Sequence, residues 1–309
     1  ANPSLFTGFR CRGELPQFLG GFFDLVFDRV SGLERDDASP EAIRAIRQIS
    51  LFGKKIELPA SKEAEAMAFN AYVTSDKEVG EWEQGVTLDA LLEFHQVASA
   101  LFSREFLPAE QAVKDWQLVP THGRGSVAES GIVGNHKFEF GTWTQRLEHV
   151  LPYWRYATSR GYSSAEYDRV TFLEPEDEVP VKVISVPKTP TSPRIIAMEP
   201  QCMQYAQQAL RGELDRCIAE SYLRLLISTE SQVPNQELAR EGSLSGDFAT
   251  LDLSEASDRV SNLLAKTIFA GLPHLGDAIQ ASRSLRAEVP GVGVVPLHRF
   301  ASMGSGLCF

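Results

Sequence analysis

Two aspartates, Asp252 and Asp258, have the residue type and the spacing that could serve a metal-dependent reaction. The apolar run Phe248–Leu253 predicts a short buried strand with Asp252 at its end. Asp258 follows six residues later, and Ser257 is the expected N-cap of a helix over Ser257–Phe269. Carboxylates at a strand end can hold two Mg²⁺ ions about 3.5–4 Å apart, as nucleotidyl transfer requires. The alternatives are local: turn chemistry for Asp252 and helix capping for Asp258.

Basic residues lie in a proline-rich segment that precedes these aspartates. Residues Val179–Met198 alternate and are β-branched between prolines, which predicts two edge-like strands joined by a basic turn. Lys182, Lys188 and Arg194 place positive charge on this ribbon. Such residues can bind triphosphate oxygens, and arginine can do so with two parallel hydrogen bonds. The alternative for each is ordinary solvated charge.

A glycine-containing turn, Ser302-Met-Gly-Ser-Gly306, closes the chain's last stretch. Glycine at 304 would let the backbone approach a ribose or a phosphate closely. A strand is predicted just before it, over Val292–Leu297. Turns of this kind are common, so this one alone does not define a function.

Helices with clear boundaries must support these segments. Ser39 and Pro40 begin a predicted helix that runs to about Phe52. A second, over Thr87–Phe106, starts at the N-cap Thr87 and carries a Leu/Phe stripe that we expect in the core. A third covers Met203–Glu220. Because the last stretch is predicted as strand, helix, strand and turn, the fold class expected is α+β.

Composition sets limits on the class of protein. The chain has 309 residues, of which 43% are hydrophobic and 23% charged, so one large domain or two ordinary ones are expected. Its 30 Lys+Arg against 41 Asp+Glu give a net charge of −11, which excludes a uniformly basic surface. Nucleic-acid binding stays possible if the positive charge is gathered into a channel.

The cysteines, the apolar runs and the chain ends limit the class of protein further. Cys11, Cys202, Cys217 and Cys308 lie far apart with no CxxC pair, which excludes a disulfide scaffold, argues against structural zinc and predicts reduced thiols in a cytoplasm. No apolar run approaches the roughly 20 residues that a membrane helix needs. The chain starts without Met and stops just after the glycine turn, so we expect both ends to be cut.

The order of the three features resembles motifs F, A and B of right-hand RNA polymerases. In detail the chain resembles the replicases of RNA bacteriophages (leviviruses), densely from about Thr121 to Phe309. The residues that carry the resemblance are His122–Glu129, Val186-Pro-Lys188, Arg194, Glu199-Pro200, Asn235-Gln236, Glu241-Gly-Ser243, Thr250–Asp258 and Ser302–Gly306.

The resemblance implies a fold and an activity. It implies an incomplete right-hand polymerase, with fingers over residues 1–200 and the start of the palm, containing motifs A and B, over residues 201–309. The activity implied is RNA-directed RNA polymerase, which copies a viral RNA genome from NTPs in the cytoplasm of an infected bacterium. Host elongation factors Tu and Ts and a ribosomal protein are the implied partners, and no membrane is involved. The family's motif C lies beyond Phe309, so we expect the chain alone to be inactive.

The resemblance also implies a role for each site residue. Asp252 would bind Mg²⁺, helped by the carbonyl of Leu253, and two Mg²⁺ ions are expected. Asp258 would accept a hydrogen bond from the ribose 2′-OH of the incoming nucleotide, helped by Ser302 and the turn at Gly304. The triphosphate would be held by the basic set Lys182, Lys188 and Arg194.

Departures and alternatives remain. Arg124 stands where family members often have proline, and Ser231-Gln232 stands where an acidic residue followed by Gln is expected. A reverse transcriptase would place a bulky aromatic side chain near the ribose, and residues 253–258 contain no Phe or Tyr. The alternative from a different class is a non-catalytic RNA-binding or assembly module.

Overall fold

A computed structural model describes residues 8–52, 59–158, 164–189, 192–227 and 231–308. The secondary structure mixes helices and strands, which confirms the α+β class. The chain divides into two compact units. One comprises residues 1–60 with 187–191, and the other comprises residues 61–186 with 192–309.

The first unit contains a short hairpin and a capped helix. The hydroxyl of Ser39 accepts a hydrogen bond from the Ala42 N–H at 3.3 Å, and Pro40 occupies the first turn, as predicted. This unit's elements are β1 (Cys11–Arg12), β2 (Leu15–Pro16), α1 (Gly20–Phe23) and α2 (Pro40–Leu51).

The second unit is mainly helical. The predicted helix over Met203–Glu220 is confirmed. Short 3₁₀ helices cover Gly134–Phe138, Tyr222–Leu225 and Ser257–Arg259. The α-helices are α3 (Lys62–Gly85), α4 (Leu88–Phe102), α5 (Leu107–Lys114), α6 (Gln145–Val150), α7 (Tyr153–Tyr156), α8 (Ser164–Tyr167), α9 (Gln201–Glu220), α10 (Val233–Ser245), α11 (Asn262–Ile268) and α12 (Pro273–Ser282).

Two sheets accompany these helices. In the four-stranded sheet the order is β6-β5-β7-β8, with β5 parallel to β7 and β7 antiparallel to β8. A small parallel pair joins β3 to β4. The strands are β3 (Thr142–Thr144), β4 (Thr171–Leu173), β5 (Val181–Thr189), β6 (Ser192–Met198), β7 (Arg286–Val289) and β8 (Gly293–Pro296).

The strand predictions around the prolines are confirmed with one correction. The ribbon over Val179–Met198 forms β5 and β6, although residues 190–191 lie outside the described residues. Of these two strands, β6 is at an edge of the sheet and β5 is not, because β7 pairs with the other side of β5. That pairing involves Val181 and Lys182 alone, so the proline-containing end of β5 stays outside that ladder. The strand predicted over Val292–Leu297 is confirmed as β8.

Two hydrophobic cores hold the second unit together. Helices α5, α6, α9 and α12 pack around side chains that solvent does not reach, among them Trp143, Leu147, Leu210 and Leu275. A smaller core lies between α3 and the four-stranded sheet, where Phe69 and Tyr72 belong to one buried cluster with Val183, Ala197 and Ala287. This second contact fixes α3 against the sheet and so positions the polar side chains of the same helix.

The helix predicted over Thr87–Phe106 is confirmed at its start and wrong at its end. The Thr87 hydroxyl caps α4, but the helix ends at Phe102, before the separate helix α5. The expectation that its whole Leu/Phe stripe is buried is wrong, since Leu88, Leu92 and Val97 are exposed. The physical reason is the width of the apolar stripe. The apolar residues cover more of the circumference of α4 than the single face that packs on α11.

The strand predicted over Phe248–Leu253 is wrong. This segment is irregular, and Leu251 and Leu253 are 88% and 73% exposed. A strand needs a hydrogen-bonded neighbour and a covered apolar face, and none of the strands in the described ranges pairs with it.

The helix predicted over Ser257–Phe269 is shorter than expected and begins later. Ser261, not Ser257, caps α11, accepting hydrogen bonds from the N–H groups of Leu263 at 3.0 Å and Leu264 at 3.3 Å. Ser257 instead begins the separate 3₁₀ helix Ser257–Arg259. Within the described part of the chain, no helix is both long and apolar enough to cross a membrane.

Candidate functional site

The centre of the site is a buried arginine, Arg299, whose side chain is 0% exposed. It lies against one face of α3, where Tyr72, Ser75 and Asp76 are also buried. Its Nε donates to Asp76 Oδ1 at 2.9 Å, and its Nη2 donates to the Tyr72 carbonyl at 2.5 Å and to the Ser75 hydroxyl at 2.9 Å. The guanidinium also lies 4.1 Å from the centre of the Tyr72 ring. An arginine with this many partners has a single orientation.

Asp76 strengthens that arrangement from α3. Its carboxylate accepts the backbone N–H groups of His298 at 3.0 Å and of Arg299 at 3.0 Å, in addition to the guanidinium. A buried carboxylate needs such partners, because an unpaired buried charge is costly. Asp76 therefore fixes both the backbone and the side chain of Arg299.

The remaining Nη1 of Arg299 reaches Asp258. It donates to Asp258 Oδ1 at 2.9 Å, and the same oxygen accepts the Met303 N–H at 3.3 Å. The Asp258 side chain is only 14% exposed, and burial raises its pKa while the charge of Arg299 opposes that rise. The structure thus places Asp258 in contact with the Ser302–Gly306 turn, while the ribose role that the resemblance implies stays a prediction. Asp258 does not cap α11, so the capping alternative is wrong for this helix.

The turn itself is held on several sides. The Ser302 hydroxyl is buried and lies 2.8 Å from the Tyr72 hydroxyl, and burial raises the pKa of Tyr72 to about 12. Gly304 has φ +130°, and a Cβ there would overlap the carbonyl oxygen of Ala197 in β6. The close approach that this glycine permits is therefore to β6, whose Ala197 N–H donates to the Met303 carbonyl at 2.8 Å.

Gln207 of α9 secures the far end of the turn. Its Oε1 accepts the Ser305 hydroxyl and the Gly306 N–H, both at 3.0 Å. Its Nε2 donates to the Ser282 carbonyl at 2.9 Å. With Tyr72, Asp258 and β6, Gln207 gives the turn a fixed shape before any ligand binds.

A buried glutamate lies beside the turn. Glu199 accepts a hydrogen bond from the Ser284 hydroxyl at 2.5 Å, and burial raises its pKa to about 7. Glu199, Ser284, Gln207 and Ser302 line a cavity of about 10 Å³. Glu199 is one of the residues that carry the family resemblance, and its environment makes it titrate near neutrality.

The surroundings of Asp252 and Leu253 differ from those of Asp258. Both are exposed, in the irregular segment that precedes Asp258. No side chain among the described residues forms a hydrogen bond or an ion pair with Asp252. In the ranges that the structure covers, no group of three or more His, Cys, Asp or Glu residues could hold a metal ion.

The three basic residues are not gathered into one cluster by any contact. Lys182 is half-buried on β5, in register with Glu288 of β7. Arg194 is exposed on β6. Lys188 is exposed at the end of β5 that belongs to the first unit. Their roles in triphosphate binding stay predictions.

Sequence reasoning missed Tyr72, Asp76, Arg299 and Gln207. A signal was available for α3, because Tyr72, Ser75, Asp76 and Val79 have the spacing of one helix face. Arg299 precedes Ser302 by three residues, which places it near the motif. The pairing of that helix face with residues more than 220 positions later was not visible in the pattern.

The chain belongs to the RNA replicase beta-chain family, whose model matches residues 148–309, just over half of the chain. It is similar to the RNA-directed RNA polymerase subunit beta of Escherichia virus Qbeta, with 33% identity over 129 residues, 41% of this chain and 21% of the relative. The subunit of Enterobacteria phage SP is 37% identical over 130 residues, covering 41% of this chain and 21% of that protein.

A longer match supports the same family. The subunit beta of Qbeta virus (strain MX1) is 27% identical over 187 residues, which is 60% of this chain and 30% of the relative. The chain thus aligns with less than a third of the length of each of these three proteins. The matched family region contains Asp252, Asp258, Arg299 and the turn, but not Tyr72 or Asp76.

Proposed function

We propose that this chain is part of an RNA-directed RNA polymerase that adds nucleotides from NTPs to the 3′-OH of RNA and copies a viral RNA genome. The observation that carries the proposal is the contact of Asp258 with Arg299 and the Met303 N–H. It joins two motifs that lie more than 40 residues apart and that the resemblance assigns to one nucleotide site. Family membership and the names of the relatives support the same activity.

Sugar recognition is the part of the reaction that these residues can explain. All hydrogen bonds that the described residues give the Asp258 carboxylate fall on Oδ1. Its Oδ2 can accept from a ribose 2′-OH, the one hydroxyl that distinguishes RNA from DNA nucleotides. Ser302 and Gly304 flank Met303, whose N–H binds this carboxylate. We assign Asp258, Ser302 and Gly304 to the ribose site.

The two Mg²⁺ ions expected for nucleotidyl transfer do not fit the described residues alone, since no cluster of possible metal ligands is present there. In this proposal Asp252 and the Leu253 carbonyl supply one part of a metal site. The resemblance places the other carboxylates in motif C, beyond Phe309. Residues 1–309 by themselves are then expected to extend no primer.

The remaining assignments follow from the resemblance. Residues 1–200 form fingers and residues 201–309 begin the palm of a right-hand polymerase. Lys182, Lys188 and Arg194 bind the triphosphate by charge-assisted hydrogen bonds. The enzyme works in the cytoplasm of the infected bacterium with elongation factors Tu and Ts and a ribosomal protein.

A synthesis assay tests the proposal. The full-length replicase that carries this chain is supplied with a primed RNA template and Mg²⁺, and with NTPs or dNTPs in separate reactions. Template-dependent incorporation of NTPs, with dNTPs used at least about tenfold less efficiently, is the expected result. Better use of dNTPs would indicate a reverse transcriptase. RNA binding without incorporation of either substrate would indicate a non-catalytic binding or assembly module.

A further inference from the structure

Helix α3 carries buried polar groups that have no direct role in the proposed reaction. Tyr72, Ser75 and Asp76 are all buried on one face of the helix. Buried polar groups cost free energy unless they are hydrogen-bonded, so their partners show what they support. Those partners include Ser302, which belongs to the proposed ribose site, and Arg299, which contacts Asp258 of that site.

Arg299 links α3 to Asp258. Its Nε contacts Asp76 and its Nη2 contacts Ser75 and the Tyr72 carbonyl, which leaves Nη1 directed at Asp258. Because a guanidinium is planar and rigid, fixing two of its nitrogens also fixes the third. A lysine has one nitrogen and cannot make this set of contacts together.

The consequence for Asp258 is an oriented carboxylate. Arg299 and the Met303 N–H both bind Oδ1, at 2.9 and 3.3 Å, so the carboxylate cannot rotate without losing both. Rotation would exchange the oxygen available to a ligand. Tyr72 acts in the same way on the second group, because its hydroxyl lies 2.8 Å from the Ser302 hydroxyl.

We propose that Tyr72, Asp76 and Arg299 are positioning residues for sugar selection, holding Asp258 and Ser302 in the geometry in which they recognise the ribose 2′-OH. This inference rests on the proposed function and extends it to a helix outside the matched family region. It means that substitutions in α3, more than 180 residues before Asp258, change the preference for ribonucleotides.

The experiment measures kcat/KM for each NTP and its dNTP, using the full-length replicase on one primed RNA template. The ratio of the two values is the readout, because a general loss of folded enzyme lowers both and leaves the ratio unchanged. Asp258→Ala is the reference variant. We expect its ratio to fall about ten- to hundredfold, from the loss of one buried hydrogen bond.

Three positioning variants are compared with this reference. Arg299→Lys keeps the charge and loses the fork, and Asp76→Asn keeps the size and loses the charge that orients Arg299. For both we expect the ratio to fall about five- to tenfold. Tyr72→Phe removes only the hydroxyl on Ser302, and a fall of about two- to fivefold is expected.

A matched control separates positioning from stability. Arg146 forms a partly buried pair with Glu178, at 2.8 and 2.6 Å, and donates to the Gln280 and Arg283 carbonyls. None of these hydrogen bonds reaches Asp258 or the turn. Arg146→Lys should lower Tm and leave the sugar ratio within twofold of wild type. An equal fall of the ratio in this control would overturn the proposal.

A double variant shows whether Arg299 acts through Asp258. If it does, Arg299→Lys combined with Asp258→Ala has the same sugar ratio as Asp258→Ala alone, within about twofold. If the double variant instead shows the product of the two single reductions in the sugar ratio, Arg299 acts independently of Asp258, and the positioning role is overturned.

The outcomes distinguish the two proposals. An unchanged ratio in Asp258→Ala overturns the ribose assignment made under the proposed function. A shifted ratio in Asp258→Ala with unchanged ratios in the positioning variants overturns this inference alone. If Arg299→Lys or Asp76→Asn yields no folded protein, Tyr72→Phe decides: a ratio within 1.5-fold of wild type overturns the proposal, and a larger fall supports it.

Discussion

Asp252 and Asp258 lie six residues apart, yet their surroundings are opposite. Asp258 is nearly buried and is held by Arg299 and by the backbone of the glycine turn. Asp252 lies between two exposed leucines, and nothing within the described ranges bonds to it. One continuous sequence motif therefore has a buried half, in which Asp258 is held by hydrogen bonds, and an exposed half that contains Asp252.

The difference shows what fixes a functional side chain in space. Asp258 owes its position to residues from α3, from the segment after β8 and from the turn, all distant in sequence. Asp252 depends on the local segment 248–253, which would need a neighbouring strand to become regular. The sequence motif identifies both aspartates as candidates, but only Asp258 is held by a rigid supporting structure.

The largest expected effect tests the exposed half. In the full-length replicase, Asp252→Asn should lower RNA synthesis more than about a hundredfold, because an amide is a poor ligand for Mg²⁺. RNA binding and Tm should stay unchanged, since Asp252 has no hydrogen bond or ion pair to lose among the described residues. Primer extension and filter binding measure the two properties. Activity within about tenfold of wild type, roughly 1.4 kcal/mol, would show that Asp252 is not a metal ligand.

The second prediction tests the rigidity of the buried half. Gly304→Ala should destabilise the protein by about 3 kcal/mol or more, because φ is +130° and the new Cβ would overlap the Ala197 carbonyl. Thermal or urea unfolding measures the loss. Gly291→Ala is the matched control: φ is +76° there, but no atom lies within 4 Å of the added Cβ, so about 1 kcal/mol is expected. Equal losses would mean that β6 does not hold the turn.

The third prediction concerns Glu199 and pH. Its folded-state pKa of about 7 lies above its ordinary 4.5, so the folded protein binds a proton that the unfolded chain has released between these values. The resulting stabilisation is complete below about pH 4.5 and is lost as pH rises through about 7, by roughly 1.4 kcal/mol per pH unit. Glu199→Gln should flatten the stability curve across this window.

The control for that prediction is an exposed glutamate. Glu237 lies exposed on α10, and Glu237→Gln makes the same substitution away from the turn. Denaturant unfolding between pH 4.5 and 8 gives both curves. If Glu199→Gln keeps the wild-type slope, the carboxyl does not stay protonated beside the turn, and its burial there has to be reconsidered.

These comparisons also show how much the sequence can predict. The starts of α2 and α4 were predictable because Ser39 and Thr87 satisfy orphan backbone N–H groups within a few residues. The strand at 248–253 was predicted wrongly because apolar side chains indicate a tendency to be buried, but they do not show that a neighbouring element is present to bury them. Asp258 and the turn could be placed together only through the family resemblance.

The supporting network was beyond such reasoning for a physical reason. Arg299 and Asp76 interact across 223 positions, and nothing local distinguishes them from solvated charges. Their importance follows from burial, which only the packing of α3 on the sheet creates. A residue that is functional through its neighbours has no local signature of its own.

The fourth prediction returns to the exposed residues. Arg194→Ala in the full-length replicase should raise the KM for NTPs about three- to tenfold, because the charge-assisted contact proposed between Arg194 and the triphosphate would be lost. Template affinity should change less than twofold, since it is spread over many phosphate contacts. Arg216→Ala, on exposed α9 surface, is the matched control for loss of one positive charge. Equal losses of template affinity and NTP use would indicate a general basic groove.

The smallest expected effect lies in the segment beside Asp252. Leu251 is 88% exposed, so Leu251→Ser in residues 1–309 removes almost no buried surface and should change the free energy of unfolding by less than about 0.5 kcal/mol. Leu272→Ser, at a leucine that is 2% exposed in the main core, should cost about 3 kcal/mol or more. Urea unfolding of both variants gives the contrast. A loss of more than 1.5 kcal/mol in Leu251→Ser would show that segment 248–253 is covered in solution, and the difference drawn between the two aspartates would then not hold.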